Sequence, residues 1–211
     1  MKTIAVLGAS GKSGQAFIHT ALGMGYRIRA GVYSSSYRNN HRNCEIITCD
    51  GTIQADVDTL VQGSDVVVSL IGHVKGSPSF LQTETITHVI QAMQKHKIKR
   101  LISLTGTGVR RSGDTPSLID HLVNAAIKII DPRRVRDGIA HAAVIEQSNV
   151  DWSIVRVLKL TNGRSEKNVC FSLGGPAEVL TSRKRLSRAI MQLVQDDSYI
   201  RQMPVITKKS M

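Results

Sequence analysis

Short apolar runs alternate with longer stretches of helical spacing along the whole chain. Residues 3–7, 65–71 and 100–105 are nearly continuous in Ile, Val, Leu and Ala, the pattern of strands buried on both faces. Further strands are predicted at 27–32, 45–48, 152–157 and 168–173. Between them, apolar residues recur at three- and four-residue intervals, which predicts helices at 13–23, 55–61, 82–96, 117–130, 135–148 and 182–195. Thr181 or Ser182 is placed to cap the last helix, and Pro132 separates two others. Strands alternating with helices of this length predict an α/β fold: a single Rossmann-like, doubly wound, mainly parallel sheet with helices on both faces. The length of 211 residues fits one domain, 1–211.

Composition narrows the class. At 41% hydrophobic and 21% charged residues, the chain is globular in kind. Its apolar runs are too short to cross a bilayer. The apolar start stops at Gly8 and lacks the longer core of a signal peptide, so a cytoplasmic protein without membrane association is expected. Cys44, Cys49 and Cys170 have no metal-type spacing. Cys44 and Cys49 flank one predicted strand and are expected on its opposite faces, as reduced thiols. Seven scattered histidines at no helical ligand spacing predict no metal site. The net charge of +12 divides as +5 over residues 1–105 and +7 over the rest. A basic surface attracts anionic ligands in general, and 4% aromatic content gives little material for base stacking. A dinucleotide or an acidic small molecule therefore suits this charge better than nucleic acid.

The first strand runs straight into Gly8-Ala9-Ser10-Gly11-Lys12-Ser13-Gly14, where a helix opens. Gly8 permits a tight turn, Gly11 lets a pyrophosphate approach the backbone, and Gly14 lets helix and strand pack closely. The helix start then offers free N–H groups to phosphate. Gly11-Lys12-Ser13 also looks like the core of a triphosphate loop, but that motif needs a glycine at position 6, which is Val6. After the second strand, an acidic residue would bind the ribose 2′-hydroxyl of NAD. Here Tyr33-Ser34-Ser35-Ser36-Tyr37-Arg38 carries no carboxylate. Its hydroxyls and Arg38 favour NADP over NAD, while a plain polar loop is the alternative. Asp50 is placed to accept a bond from adenine, and Leu70-Ile71-Gly72 lies where open α/β sheets hold ligands.

The glycine spacing, the Asp50 turn, Val68-Ser69-Leu70-Ile71-Gly72 and Leu101-Ile102-Ser103-Leu104-Thr105 together resemble the atypical short-chain dehydrogenase/reductases. The similarity is to their small NAD(P)H-binding branch, which contains the biliverdin-IXβ/flavin reductases and NmrA-like proteins. It runs from Lys2 to about Asp197. It implies that Gly8, Ser10, Gly11, Lys12, Ser13 and Gly14 hold the pyrophosphate. It implies Ser34, Ser35 and Arg38 at the adenosine ribose-phosphate, and Asp50 and Gly51 at the adenine. Leu70, Ile71 and Gly72 would line the ribose and nicotinamide, with Thr105 beneath the nicotinamide and Arg156 beyond it. The chain departs from the family where the acid/base pair should be. None of Tyr26, Tyr33, Tyr37 and Tyr199 has a lysine four residues on, and Gly106 stands where the flavin reductases carry serine.

What the resemblance implies is an NAD(P)H-dependent reductase of a small planar acceptor, such as a flavin or quinone. The alternative is a non-catalytic redox sensor of NmrA-like type. Thr105, Thr107 and His73 are the catalytic candidates, and Arg110 and Arg111 the candidates for holding an anionic substrate. Segment 106–136 has glycine hinges and an apolar helix, as a cap over the substrate side would. That helix is apolar almost all round, which also suits a homodimer surface.

Overall fold

The computed structural model describes residues 1–33, 37–74, 76–163 and 168–208. Its elements in chain order are β1 (Thr3–Leu7), α1 (Lys12–Gly23), β2 (Arg27–Val32), β3 (Cys44–Thr48), α2 (Gln54–Val61), β4 (Val66–Ser69), α3 (Leu81–Lys95) and β5 (Arg100–Gly106). Then follow α4 (Leu118–Ile130), α5 (Pro132–Glu146), β6 (Asp151–Val157), β7 (Lys159–Thr161), β8 (Phe171–Ser172), β9 (Leu180–Ser182), α6 (Arg183–Gln195) and β10 (Val205–Ile206).

The main sheet has the order β3-β2-β1-β4-β5-β6-β10-β8. Pairing is parallel from β3 to β10, and β8 runs antiparallel at the edge. The chain starts in the middle, winds outward to β3, then returns past β1 to β4. That reversal creates a crevice at the carboxyl ends of β1 and β4, the usual ligand position of doubly wound sheets. Leu7 pairs with Gly31 on one side and Ser69 on the other, so the three strands end level with one another.

Alternating strand residues feed two cores. Ile4, Val6, Val68 and Ile102 pack under α1 and α6, while Ala5, Leu7, Val67 and Leu101 pack under α2, α3 and α5. Cys44 joins the first core and Cys49 the second, on opposite faces as period two requires. Burial, with Asp56 and Asp50 nearby, pushes the Cys49 thiol up to about 12, so it stays protonated.

Helix boundaries follow local capping chemistry. Ser117 accepts from the Asp120 amide at 3.2 Å to start α4, and Ser182 accepts from the Arg185 amide at 3.1 Å to start α6. Asp131 caps α5, with Pro132 in its first turn, where a missing N–H costs nothing. That helix therefore begins three residues before the stretch predicted from spacing. The strand expected at 168–173 shrinks to Phe171–Ser172. The short strands β7, β9 and β10 were invisible to periodicity because two or three residues carry no period. On α4, Leu118, Leu122, Ile129 and Ile130 are exposed.

Candidate functional site

The turn after β1 is shaped by backbone contacts. Gly8 has φ +74°, and a Cβ there would lie 2.9 Å from the Leu70 carbonyl. A Cβ on Gly14 would lie 2.2 Å from the Gly8 oxygen, so helix α1 meets the turn backbone to backbone at that point. Gly11 is different: it is exposed, and among the described residues the close neighbour of a Cβ there would be the Gly8 oxygen at 3.2 Å. Gly11 is also the N-cap of α1, and no side chain caps that helix. Among the described residues no side chain occupies its first-turn amides, the condition in which a helix start receives phosphate. Ser10 and Lys12 are exposed beside it, and Ser13 reaches the neighbouring cavity.

Ser34 and Ser35, assigned from sequence to the ribose-phosphate, lie outside the described residues. Arg38 is exposed and donates to the Tyr37 carbonyl at 3.0 Å. Asp50 closes a tight turn, accepting from the Thr52 amide at 2.9 Å and the Thr52 hydroxyl at 2.7 Å. Gly51 is buried against Thr85, whose hydroxyl oxygen a Cβ would approach to 2.4 Å.

A cavity of about 570 Å³ opens beyond the ends of β4, β5 and β6. Leu70, Ile71, Gly72 and His73 line one wall, and Leu104, Thr105 and Thr107 line the floor. Helix α4 contributes Val123, Asn124 and Ile127. Thr105 is buried beside Gly138 of α5, and its hydroxyl makes no hydrogen bond among the described residues. The Thr107 hydroxyl is committed: it donates to Asp120 at 3.2 Å and accepts from Asn124 at 3.0 Å. Expected from sequence to donate to a substrate carbonyl, Thr107 instead ties the β5 loop to α4.

Three arginines depart from their expected places. Arg156 is fully buried and forks onto Asp114, with further bonds to the carbonyls of Met203, Val109 and Leu173. Every guanidinium nitrogen is used, so it anchors the loop after β5 rather than meeting a cofactor. Burial would raise the Asp114 carboxyl, but the Arg156 bond, the Arg111 amide and the charges of Arg156 and Arg110 together outweigh it and hold Asp114 below the usual carboxylate range. Arg110 binds Asp120 at 2.5 Å. Arg111 pairs with Glu146 at 3.2 Å and lies over the Trp152 ring, at 5.9 Å from its centroid. Neither Arg110 nor Arg111 lines the cavity. Among the described residues its cationic side is instead Arg134, Lys159 and Arg183, which sequence reasoning missed because they come from two helix starts and a strand too short to read.

Beneath His73 lies a polar cluster. Asp137 of α5, wholly buried, accepts from the Gln82 amide at 2.8 Å and the Thr83 amide at 3.0 Å. It also accepts from the Thr83 hydroxyl at 2.5 Å and pairs with His73 Nε2 at 2.7 Å. One turn on, His141 bonds the Gln82 carbonyl through Nδ1 at 3.2 Å and Ser103 Oγ through Nε2 at 2.8 Å. A carbonyl only accepts, so Nδ1 carries the hydrogen and Nε2 takes one from Ser103. Burial lowers the His141 pKa below its usual value, in keeping with a neutral ring. Asp137 was missed: its spacing to His141 was visible, but the loop it meets is 64 residues away. Among the described residues, no group of three or more His, Cys, Asp or Glu side chains could hold a metal, and no helix is long and apolar enough to cross a membrane.

Residues 8–197 match the model of a family described as NAD(P)H-binding. Among solved structures, the chain is similar to an oxidoreductase, ylbE, from Lactococcus lactis, with TM-score 0.82 and 16% identity over 99% of this chain and 92% of that one. A short-chain dehydrogenase/reductase from Veillonella parvula in complex with NADP aligns with TM-score 0.80 and 17% identity, covering 99% and 95%. A Rossmann-fold NAD(P)-binding family protein from Shigella flexneri gives 0.73 and 20%, covering 100% and 95%. These likenesses bear out the fold expected from the sequence, and the family match agrees with the resemblance read there.

Proposed function

The chain belongs to the NAD(P)H-binding family, and from that premise we propose that it is an NADPH-dependent reductase of a small, planar, anionic acceptor. The observation that carries this reading is the continuity between the uncapped start of α1 and the cavity, which share Ser13. A dinucleotide laid along that line has its pyrophosphate at Gly11 and its nicotinamide end near Thr105. The cavity volume is within the range of small-molecule sites. When bound, NADPH supplies the hydride; the chain's residues bind, orient and exclude water. Thr105 offers a free hydroxyl, and Arg134, Lys159 and Arg183 favour an acceptor with negative charge. Preference for NADP over NAD rests on the carboxylate-free end of β2 and on Arg38.

Calorimetric titration with NADPH and NADH tests the cofactor, with tighter NADPH binding expected. NADPH oxidation followed at 340 nm across menadione, FMN and an aldehyde tests the reaction. Turnover with a planar acceptor is expected. Background rates with all three, alongside tight NADPH binding, would favour the sensor reading instead.

A further inference from the structure

We propose that His73 and Asp137 form a proton-delivery pair at the cavity, and that the acceptor is reduced at a carbonyl or quinone oxygen. This rests on the reductase reading and deepens it. Asp137 has two donors on each carboxylate oxygen: the Gln82 amide and His73 on one, the Thr83 amide and hydroxyl on the other. So filled, both carboxylate oxygens act as acceptors. His73 Nε2 therefore carries a hydrogen and donates it. The variable position is Nδ1, which makes no hydrogen bond among the described residues, on a residue that lines the cavity.

A carboxylate that fixes an imidazole by one nitrogen and leaves the other facing a site sets its tautomer and stabilises its charged form. The chain has spent a buried charge on this. A carboxylate with no cation beside it is costly in a core. Here the α3 amides offset part of that cost, and the bonds from His73 Nε2–H and the Thr83 hydroxyl offset more. Simple tethering explains it poorly, because Gln82 Nε2 already ties α3 to the Ile71 carbonyl at 2.7 Å. Other charged or titratable groups around His73 play different parts. Arg134 reaches the His73 carbonyl at 3.4 Å, and His141 is locked between Ser103 and Gln82. Of the two histidines near Asp137, only His73 opens to the cavity.

The acceptor carbon gains the hydride that NADPH supplies, and its C=O π pair moves onto oxygen. That oxygen takes the proton from His73 Nδ1, leaving a neutral imidazole, which water reprotonates. NADP and the alcohol are the products; with a quinone, the ring C–H proton then passes through water to the second oxygen, giving the hydroquinone. His73 replaces in role the tyrosine acid that this chain lacks, and Asp137 is a positioning residue.

Two measurements test this. Nitrogen-15 NMR of the imidazoles in the cofactor-free protein should show neutral His73 as the Nε2–H tautomer, and Asp137→Asn should shift that population. A dominant Nδ1–H form in the wild type would overturn the pairing. With menadione and saturating NADPH, His73→Asn should lower kcat about 100-fold or more, with NADPH affinity within about twofold of wild type. Asp137→Asn should lower kcat in the same direction, and Asp137→Glu should restore part of it. His73→Asn keeps the α3 cap intact, so the test survives if Asp137 variants fold poorly. Turnover unaffected by His73→Asn would overturn proton delivery alone. No wild-type turnover with any acceptor would overturn the reductase reading and proton delivery with it, and the NMR arm would still report on the pair.

Discussion

Two helices begin at the carboxyl edge of the sheet, and their starts are finished in opposite ways. Helix α1 opens on Gly11 with no side chain on its first amides. Helix α3 opens with its Gln82 and Thr83 amides bound to the buried Asp137 carboxylate. Each start presents unsatisfied N–H groups and a positive dipole end. One is left for an anion from outside, and the other is filled by an anion from within, which then holds His73. The difference divides the site into a cofactor half made by a local turn and an acceptor half assembled across long stretches of chain.

The local half gives the largest expected effect. Gly11 has φ −68° and ψ 157°, which valine adopts without strain. A side chain there projects where phosphate must come, so Gly11→Val should abolish dinucleotide binding in a calorimetric titration. The loss in thermal stability should be small, about 1 kcal/mol of capping energy at most. Gly14→Val should lose both binding and stability, because its Cβ would meet the Gly8 oxygen at 2.2 Å, and neither backbone can yield. Near wild-type NADPH affinity in Gly11→Val would break the comparison at its first term.

The second effect belongs to the acceptor half. Arg156→Leu strands the buried Asp114 carboxylate, and removing one partner of a buried pair typically costs about 3–5 kcal/mol. Chemical denaturation should show that loss, while NADPH affinity in the folded variant stays unchanged. Weakened NADPH binding at unchanged stability would return Arg156 to the cofactor.

Legibility in the sequence follows the same division. The strand–turn–helix from Thr3 to Gly23 was readable because Gly11 and Gly14 answer to neighbours within the turn and the glycine at 8 takes a positive φ, although the Leu70 backbone it meets is distant in sequence. The mainly parallel sheet with helices on both faces was readable because near-continuous apolar runs demand two covered faces. The His73–Asp137 pair spans 64 residues and Arg156–Asp114 spans 42. Each is set by which loops the sheet brings together, and no spacing rule encodes that. Arg110 and Arg111 failed as substrate residues for the same reason. Their nearness to Thr105 in sequence said nothing of Asp120 and Glu146, which hold them.

A third, smaller effect sharpens the account of the local half. Arg38→Ala should weaken NADPH binding by about 1.5–3 kcal/mol, the worth of a hydrogen bond to a charged group, or roughly 10- to 150-fold. NADH binding should barely change, because only NADPH carries the 2′-phosphate. Equal losses for both dinucleotides would make Arg38 a fold residue and leave the NADP preference without its cation.

The smallest effect lies under the start of α3. His141 is buried, and burial lowers its folded pKa below the ordinary value near 6.5. On acidification the unfolded chain takes up the proton first, so the stability contributed by the neutral ring is complete above about pH 6.5. It is lost as the pH falls from there through the folded value. The slope from one such group reaches about 1.4 kcal/mol per pH unit at most. The melting temperature should therefore hold between pH 8 and 7, then decline toward pH 5. His141→Gln should remove that component of the decline while lowering the plateau, since glutamine only partly replaces the bonds to Ser103 and Gln82. Identical slopes in both proteins would mean that the ring takes up its proton without disturbing the fold. His141 would then no longer be locked, and the claim that His73 alone serves the cavity would lose its contrast.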